Sequence, residues 1–133
     1  MSDQVEKKQV QTKFYDSEIT LFGKFNYDVE NKDISVSELI AINSNKANIY
    51  IPHTAGRYQV KRFRKASCPI IERLTNSLMM KGRNTGKKNM AMTIVREALD
   101  IVGLITNKNP LETVLEAVSK AGPREDSTRI GMF

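Results

Sequence analysis

Apolar residues recur at helical spacing over long stretches in the second half of the chain, where three segments show it. The first is predicted to begin near Ser67, with Pro69 in its first turn. It sets Ile70, Ile71, Leu74 and Leu78 on one face and stops at Gly82. The second runs from about Lys87 to Thr106 and carries two adjacent stripes. Met90, Ile94, Ala98, Ile101 and Ile105 form one, and Ala91, Val95, Leu99 and Val102 lie beside it. A stripe that wide predicts a central helix buried on a broad face. The third has Asn109 as N-cap, Pro110 at the first helical position and Glu112 placed for a capping box; it closes at Gly122-Pro123. Its inner face is expected to be Leu111, Val114, Leu115 and Val118.

The first half lacks that periodicity. Residues 1–13, MSDQVEKKQVQTK, are polar and expected to be disordered or ordered only by a partner. FYDSEITLFGKFNYD is aromatic-rich and interrupted by Gly23, which predicts an extended arm lying on another surface. SVSELIAIN has a capping residue at Ser35 and the spacing of a short helix, and ANIYIPHTAGRY reads as extended because Pro52 and Gly56 oppose helix there. Residues after Pro123 are polar and mixed in charge. No internal repeat or low-complexity tract is present. The organisation read from this is a mainly α protein with a 1–20 tail, a 21–66 arm containing a short helix and a basic segment, a 67–122 helical core, and a 123–133 terminal segment.

A length of 133 residues suits one domain. The net charge of +6 matters less than where it lies. From Met1 to Asn45 the acids outnumber the lysines. From Gly56 to Lys88, Arg57, Lys61, Arg62, Arg64, Lys65, Arg73, Lys81, Arg83, Lys87 and Lys88 face only Glu72. Like charges this dense need water or a polyanion to screen them. A single cysteine, Cys68, cannot form an internal disulfide and predicts a reducing compartment, by default the cytosol. The chain shows no apolar leader and no window near the roughly 18 apolar residues of a membrane span, so it is expected to be neither secreted nor membrane-spanning.

Few of its residues invite chemistry. GRNTGKK, residues 82–88, is not a Walker loop, because three residues separate its glycines and a lysine follows Lys87 where a hydroxyl is required. It reads as a tight turn presenting Lys81, Arg83, Lys87 and Lys88 near a helix N-terminus that attracts phosphate. His53 stands without the partners a metal or a nucleophile would need, and Cys68 reads as a packing residue. Glu97, Asp100, Glu112 and Glu116 fall opposite the apolar stripes, on a solvated face. The methionines, including Met79, Met80, Met90 and Met92, read as core packing around Leu78. No catalytic residue, metal site or cofactor is predicted.

RYQVKRFRK, residues 57–65, is the stronger signal. It interleaves Arg57, Lys61, Arg62, Arg64 and Lys65 with Tyr58 and Phe63 and contains no acid. The arginines can clamp phosphates through two hydrogen bonds each, the lysines act as point charges, and the aromatics can stack on bases or sugars. Nucleic acid is the expected partner. A free helix-turn-helix DNA-binding protein is the alternative, but it would place Asn, Gln, Arg or Ser along an exposed helix face. The central helix offers only Asn89, Thr93 and Arg96. Charge in an extended segment and a turn suits an irregular RNA surface better.

PHTAGRYQVKRFRKASCPIIERLTNSLMMKGRNTGKK, followed by NPLETVLEAV and GPREDSTRIG, closely resembles the universal small-subunit ribosomal protein family called S-seven in bacteria and S-five in eukaryotes. LFGKF and NKDIS look like its eukaryotic branch, and the likeness runs from about Leu21 to Gly131. The resemblance implies a non-enzymatic constituent of the small subunit that binds the 3′ major domain of its ribosomal RNA and helps nucleate the head. The implied location is the cytosolic ribosome, with assembly in the nucleolus. Implied partners are neighbouring small-subunit proteins of the head and platform, messenger RNA and exit-site transfer RNA, with no membrane. Carried over by motif, Arg57, Tyr58, Lys61, Arg62, Arg64, Lys65, Lys81, Arg83, Lys87 and Lys88 would contact RNA, as would Arg124 and Arg129 at the entry to the family's β-ribbon. The family continues through a returning strand and further helices, whereas this sequence stops at Phe133. A shortened core is therefore expected, with apolar faces of the second and third helices left without partners.

Overall fold

The computed structural model describes residues 19–42 and 48–131. The polar stretch 1–13, and the 1–20 tail up to residue 18, lie outside the described residues. Strands β1 (Thr20–Leu21) and β2 (Phe25–Asn26) form an antiparallel hairpin with Thr20 opposite Asn26 and Leu21 opposite Phe25. Helices α1 (Ile34–Ser37), α2 (Ile70–Leu78), α3 (Lys88–Thr106) and α4 (Pro110–Ala121) follow. Short 3-10 turns at Arg64–Ser67 and Gly82–Asn84 precede α2 and α3. As the two apolar stripes suggested, α3 is central and packs against both α2 and α4.

Local chemistry explains the joints. The hairpin turns through Phe22 and Gly23, both at positive φ (55° and 70°), and the Lys24 N–H donates to the Leu21 carbonyl at 3.1 Å. Two successive left-handed residues give the twist that a tight hairpin needs. α3 ends at Asn107, also left-handed (φ 52°), whose N–H returns to the Gly103 carbonyl at 3.0 Å. A β-carbon at Gly103 would stand 3.2 Å from Pro110 Cγ, so glycine lets the start of α4 close onto α3. Asn109 caps α4 with its side-chain oxygen on the Leu111 N–H (3.1 Å), while its side-chain amide donates to the Asn26 carbonyl (2.9 Å). One residue thus starts the last helix and holds the hairpin against it.

The core joins both halves of the chain. Leu21, Tyr27, Val29, Ile40 and Ile42 from the first half meet Ile71, Val95, Leu99, Leu111 and Leu115 from the helices. The expected extended arm therefore lies on the molecule's own helices and supplies half of what they bury. Tyr27 completes the attachment, because its hydroxyl donates to the Ile49 carbonyl at 2.6 Å and accepts from the Ile49 N–H at 3.3 Å. Burial raises the pKa of that hydroxyl, and its bond to Ile49 opposes the rise.

Several expectations are corrected. The first long helix begins at Ile70 rather than Ser67, because Pro69 is extended (ψ 135°) and serves as its N-cap. Its buried face is Ile71, Glu72 and Thr75, while Leu74 and Leu78 are about two-fifths exposed. Of the two stripes on α3, Ala91, Val95 and Leu99 are buried, whereas Met90, Ile94, Ile101 and Ile105 stand exposed. Met80 and Met90 are likewise surface residues, not core packing. On α4, Leu111 and Leu115 are buried, Val114 packs beside them and Val118 faces outward. The short helix α1 is capped by Asp33, whose carboxylate accepts from the Ser35 N–H at 3.0 Å, and not by Ser35. Glu112 pairs with Lys32 at 3.1 Å rather than closing a capping box. Asp100 and Glu116 are also paired, with Lys24 and Lys120, so these acids are not simply solvated. Residues 123–131 form no strand and are exposed throughout.

Candidate nucleic-acid interface

The basic segment starts from a fixed root. Pro52 is fully buried, and beyond it residues 53–57 are irregular, with Ala55 at positive φ (52°), before a turn at Tyr58 and Gln59. A β-carbon at Gly56 would lie 2.6 Å from the Tyr58 ring, so glycine allows that ring to fold back over this stretch. The Tyr58 hydroxyl then reaches Thr54 Oγ1 at 2.8 Å. Arg57, Gln59, Val60, Lys61, Arg62, Phe63, Arg64 and Lys65 are all exposed. Phe63 takes the left-handed conformation (φ 61°) and the 3-10 turn follows it, pinned by the Ser67 hydroxyl on the Arg64 carbonyl at 2.6 Å. The Arg62 guanidinium sits 5.1 Å from the centre of the Phe63 ring.

The second basic segment is the α2–α3 turn. Lys81 (φ 70°) and Gly86 (φ 78°) reverse the chain around the 3-10 turn, and the Thr85 hydroxyl closes on the Lys81 carbonyl at 2.9 Å. Lys81, Arg83 and Lys87 are exposed. Lys88 differs: its side chain is largely buried and its ammonium lies 3.0 Å from a carboxylate oxygen of Glu72.

Glu72 is where the two segments meet. It is 2% exposed, and Oε1 accepts from the Thr54 N–H at 3.2 Å as well as from Lys88. Oε2 accepts from the Thr54 hydroxyl at 2.7 Å. Burial pushes the Glu72 carboxyl up, but the hydrogen bonds from Thr54 and Lys88 more than reverse this and hold it below the ordinary carboxylate range. It is ionised at neutral pH, and an ionised carboxylate only accepts. Thr54 therefore gives its proton to Glu72, and Tyr58 must donate to Thr54. Beside this network the buried Cys68 thiol is pushed up to about 11, first by burial and then by the Glu72 charge, which leaves it a packing residue with little thiolate character.

Glu72 and Thr54 were not among the residues expected to matter. The available signal was that Glu72 is the single acid between Gly56 and Lys88. Arg124 and Arg129 are exposed in the irregular C-terminal segment. Arg124 lines a depression along α4 that mixes Lys32, Lys108 and Lys120 with Glu30, Asp33, Glu112 and Glu116 and does not include Glu72. Among the described residues, no group of three or more His, Cys, Asp or Glu is arranged to hold a metal ion, and no helix is long and apolar enough to cross a membrane.

Comparison with known proteins adds a lineage to this geometry. A family model described as ribosomal protein S7p/S5e matches residues 41–132, which contain both basic segments and all three long helices. The chain belongs to the ribosomal protein S7p/S5e family. Two relatives are each named "Small ribosomal subunit protein uS7". The one from Dictyostelium discoideum is 56% identical over 116 residues, covering 86% of this chain and 60% of that protein. The one from Entamoeba histolytica is 54% identical over 112 residues, covering 84% of this chain and 54% of that protein. The chain thus spans a little over half the length of these S7p/S5e relatives.

Proposed function

We propose that this chain is a structural, non-enzymatic constituent of the small ribosomal subunit that binds the 3′ major domain of small-subunit ribosomal RNA and supports formation of the subunit head. Its proposed setting is the cytosolic ribosome after assembly in the nucleolus. Head and platform proteins, messenger RNA and exit-site transfer RNA lie nearby. Arg57, Tyr58, Lys61, Arg62, Arg64, Lys65, Lys81, Arg83 and Lys87 form the proposed grip, and Arg124 and Arg129 form a second, separate contact. Lys88 belongs to the same region, with its ammonium directed at Glu72.

One observation carries this reading. Arg57, Lys61, Arg62, Arg64 and Lys65 are exposed together and take part in no ion pair among the described residues, while Glu72, Asp100, Glu112 and Glu116 are each engaged by a lysine. Five cations held together and open to solvent, with Glu72, the single acid between Gly56 and Lys88, already engaged by Lys88, present a field suited to a polyanion. The outward face of α3 does not favour the DNA-binding alternative, since it shows Met90, Ile94, Ile101 and Ile105 where a base reader needs polar side chains.

A filter-binding titration of the chain against head-domain ribosomal RNA, unrelated RNA of equal length and duplex DNA tests the reading. Preference for the head-domain RNA is expected, with log affinity falling against log salt by about 0.7–0.9 per phosphate neutralised. Replacing Arg57, Arg62 and Arg64 with alanine should weaken binding at least about tenfold and flatten the slope by about 2–3 units, with helix content unchanged. Equal affinity for unrelated RNA, or preference for the duplex, overturns it.

A further inference from the structure

The geometry points to Glu72 as a positioning residue for RNA binding: its carboxylate ties the root of the 57–65 segment to the root of the 81–88 turn, so the lone acid of the basic region strengthens the grip on a polyanion. This rests on the RNA-binding reading above. Thr54 lies three residues before Arg57, and Lys88 ends the turn that displays Lys81, Arg83 and Lys87. Both bond to one carboxylate, at 3.2 and 2.7 Å from Thr54 and at 3.0 Å from Lys88. The chain Tyr58–Thr54–Glu72 extends the tie into the basic segment itself. Without it, the exposed cations between Arg57 and Lys65 would keep their charge but lose their fixed placement relative to the turn. Binding by preorganised groups loses less freedom on association than binding by groups that must be ordered first.

The idea opposes simple electrostatics in sign. Glu72→Gln raises the net charge by one, and charge alone predicts tighter RNA binding with a steeper salt slope. Glu97→Gln makes the same charge change at an exposed position on α3 and serves as the control. With the full chain and head-domain RNA, we expect Glu97→Gln to stay within about twofold of the parent and Glu72→Gln to bind at least about tenfold more weakly. Thr54→Val is the second variant, because it removes the 2.7 Å bond while leaving Lys88 on Glu72. It should stay folded with a modestly lowered unfolding midpoint, because one bond to a buried carboxylate is lost, bind RNA several-fold more weakly, and be cut faster by trypsin after Arg57, Lys61 and Arg62.

Folded Glu72→Gln that binds as well as Glu97→Gln overturns the inference. If Glu72→Gln does not fold, parent-like binding and trypsin resistance in Thr54→Val overturn it. Trypsin cleavage needs no RNA and separates the two readings. Should the parent fail to select head-domain RNA while Thr54→Val is still cut faster, the RNA-binding reading falls and the tie between the segments stands.

Discussion

Residues 20–42 and 48–65 are both mostly irregular, yet they are attached in opposite ways. The first sends Leu21, Tyr27, Val29, Ile40 and Ile42 into the core and directs Lys24 and Lys32 to acids on α3 and α4. The second is anchored mainly at its ends, through Ile49, Pro52 and Thr54 on one side and Cys68 on the other. Between those anchors it exposes Val60 and Phe63 along with its cations. Irregular backbone is therefore core in one region and presented surface in the other. What separates them is where the side chains go. In the first region both lysines are paired within the fold; in the second the cations between Arg57 and Lys65 take part in no ion pair among the described residues.

The sharpest way to break this contrast is to truncate one apolar residue in each region. Leu21 is fully buried, and Leu21→Ala should cost about 2–5 kcal/mol through lost burial and the cavity left behind. Phe63 is 71% exposed, and Phe63→Ala should change stability by less than about 0.5 kcal/mol. Urea unfolding followed by circular dichroism measures both. Comparable losses would mean that the basic segment is itself core, and the distinction would fail.

A smaller effect is expected where the first region hands over to the second. Tyr27→Phe removes one hydroxyl that satisfies both the carbonyl and the N–H of Ile49. The expected loss is about 1–2 kcal/mol in the same unfolding experiment. A neutral result would show that water reaches Ile49 readily and that the second region is not held from this side.

The long helices were legible because capping and periodicity are local: Asn109 and Pro110 open α4 as their chemistry requires, and α3 ends at Thr106 as expected. The exposed cations between Arg57 and Lys65 were legible as an acid-free run. What escaped was non-local. Met90, Ile94 and Ile101 recur at helical intervals as Ala91, Val95 and Leu99 do, and which stripe is covered is decided by distant partners, residues 20–42 together with α2 and α4. Glu72 displaced Leu74 and Leu78 from the expected inner face of α2 because Thr54 and Lys88, sixteen to eighteen positions away, supply donors to a buried carboxylate. Hydropathy treats a glutamate as a surface residue, and nothing in local spacing reveals such distant partners.

The smallest predicted effect tests whether pairing, rather than packing, distinguishes the lysines of the first region from the cations of the second. Lys24 contacts Asp100 at 2.9 Å, but the side chains are 55% and 36% exposed. An ion pair so accessible to water contributes about 0.2–1 kcal/mol and weakens as salt is raised. A double-mutant cycle with Lys24→Met and Asp100→Asn should give a coupling in that range at low salt, most of it gone near 1 M. Lys61→Met, by contrast, has no carboxylate partner among the described residues and should leave stability unchanged at any salt. If Lys61→Met destabilises the fold as much as Lys24→Met, the basic segment has partners within the chain, and its charges are not held open for RNA.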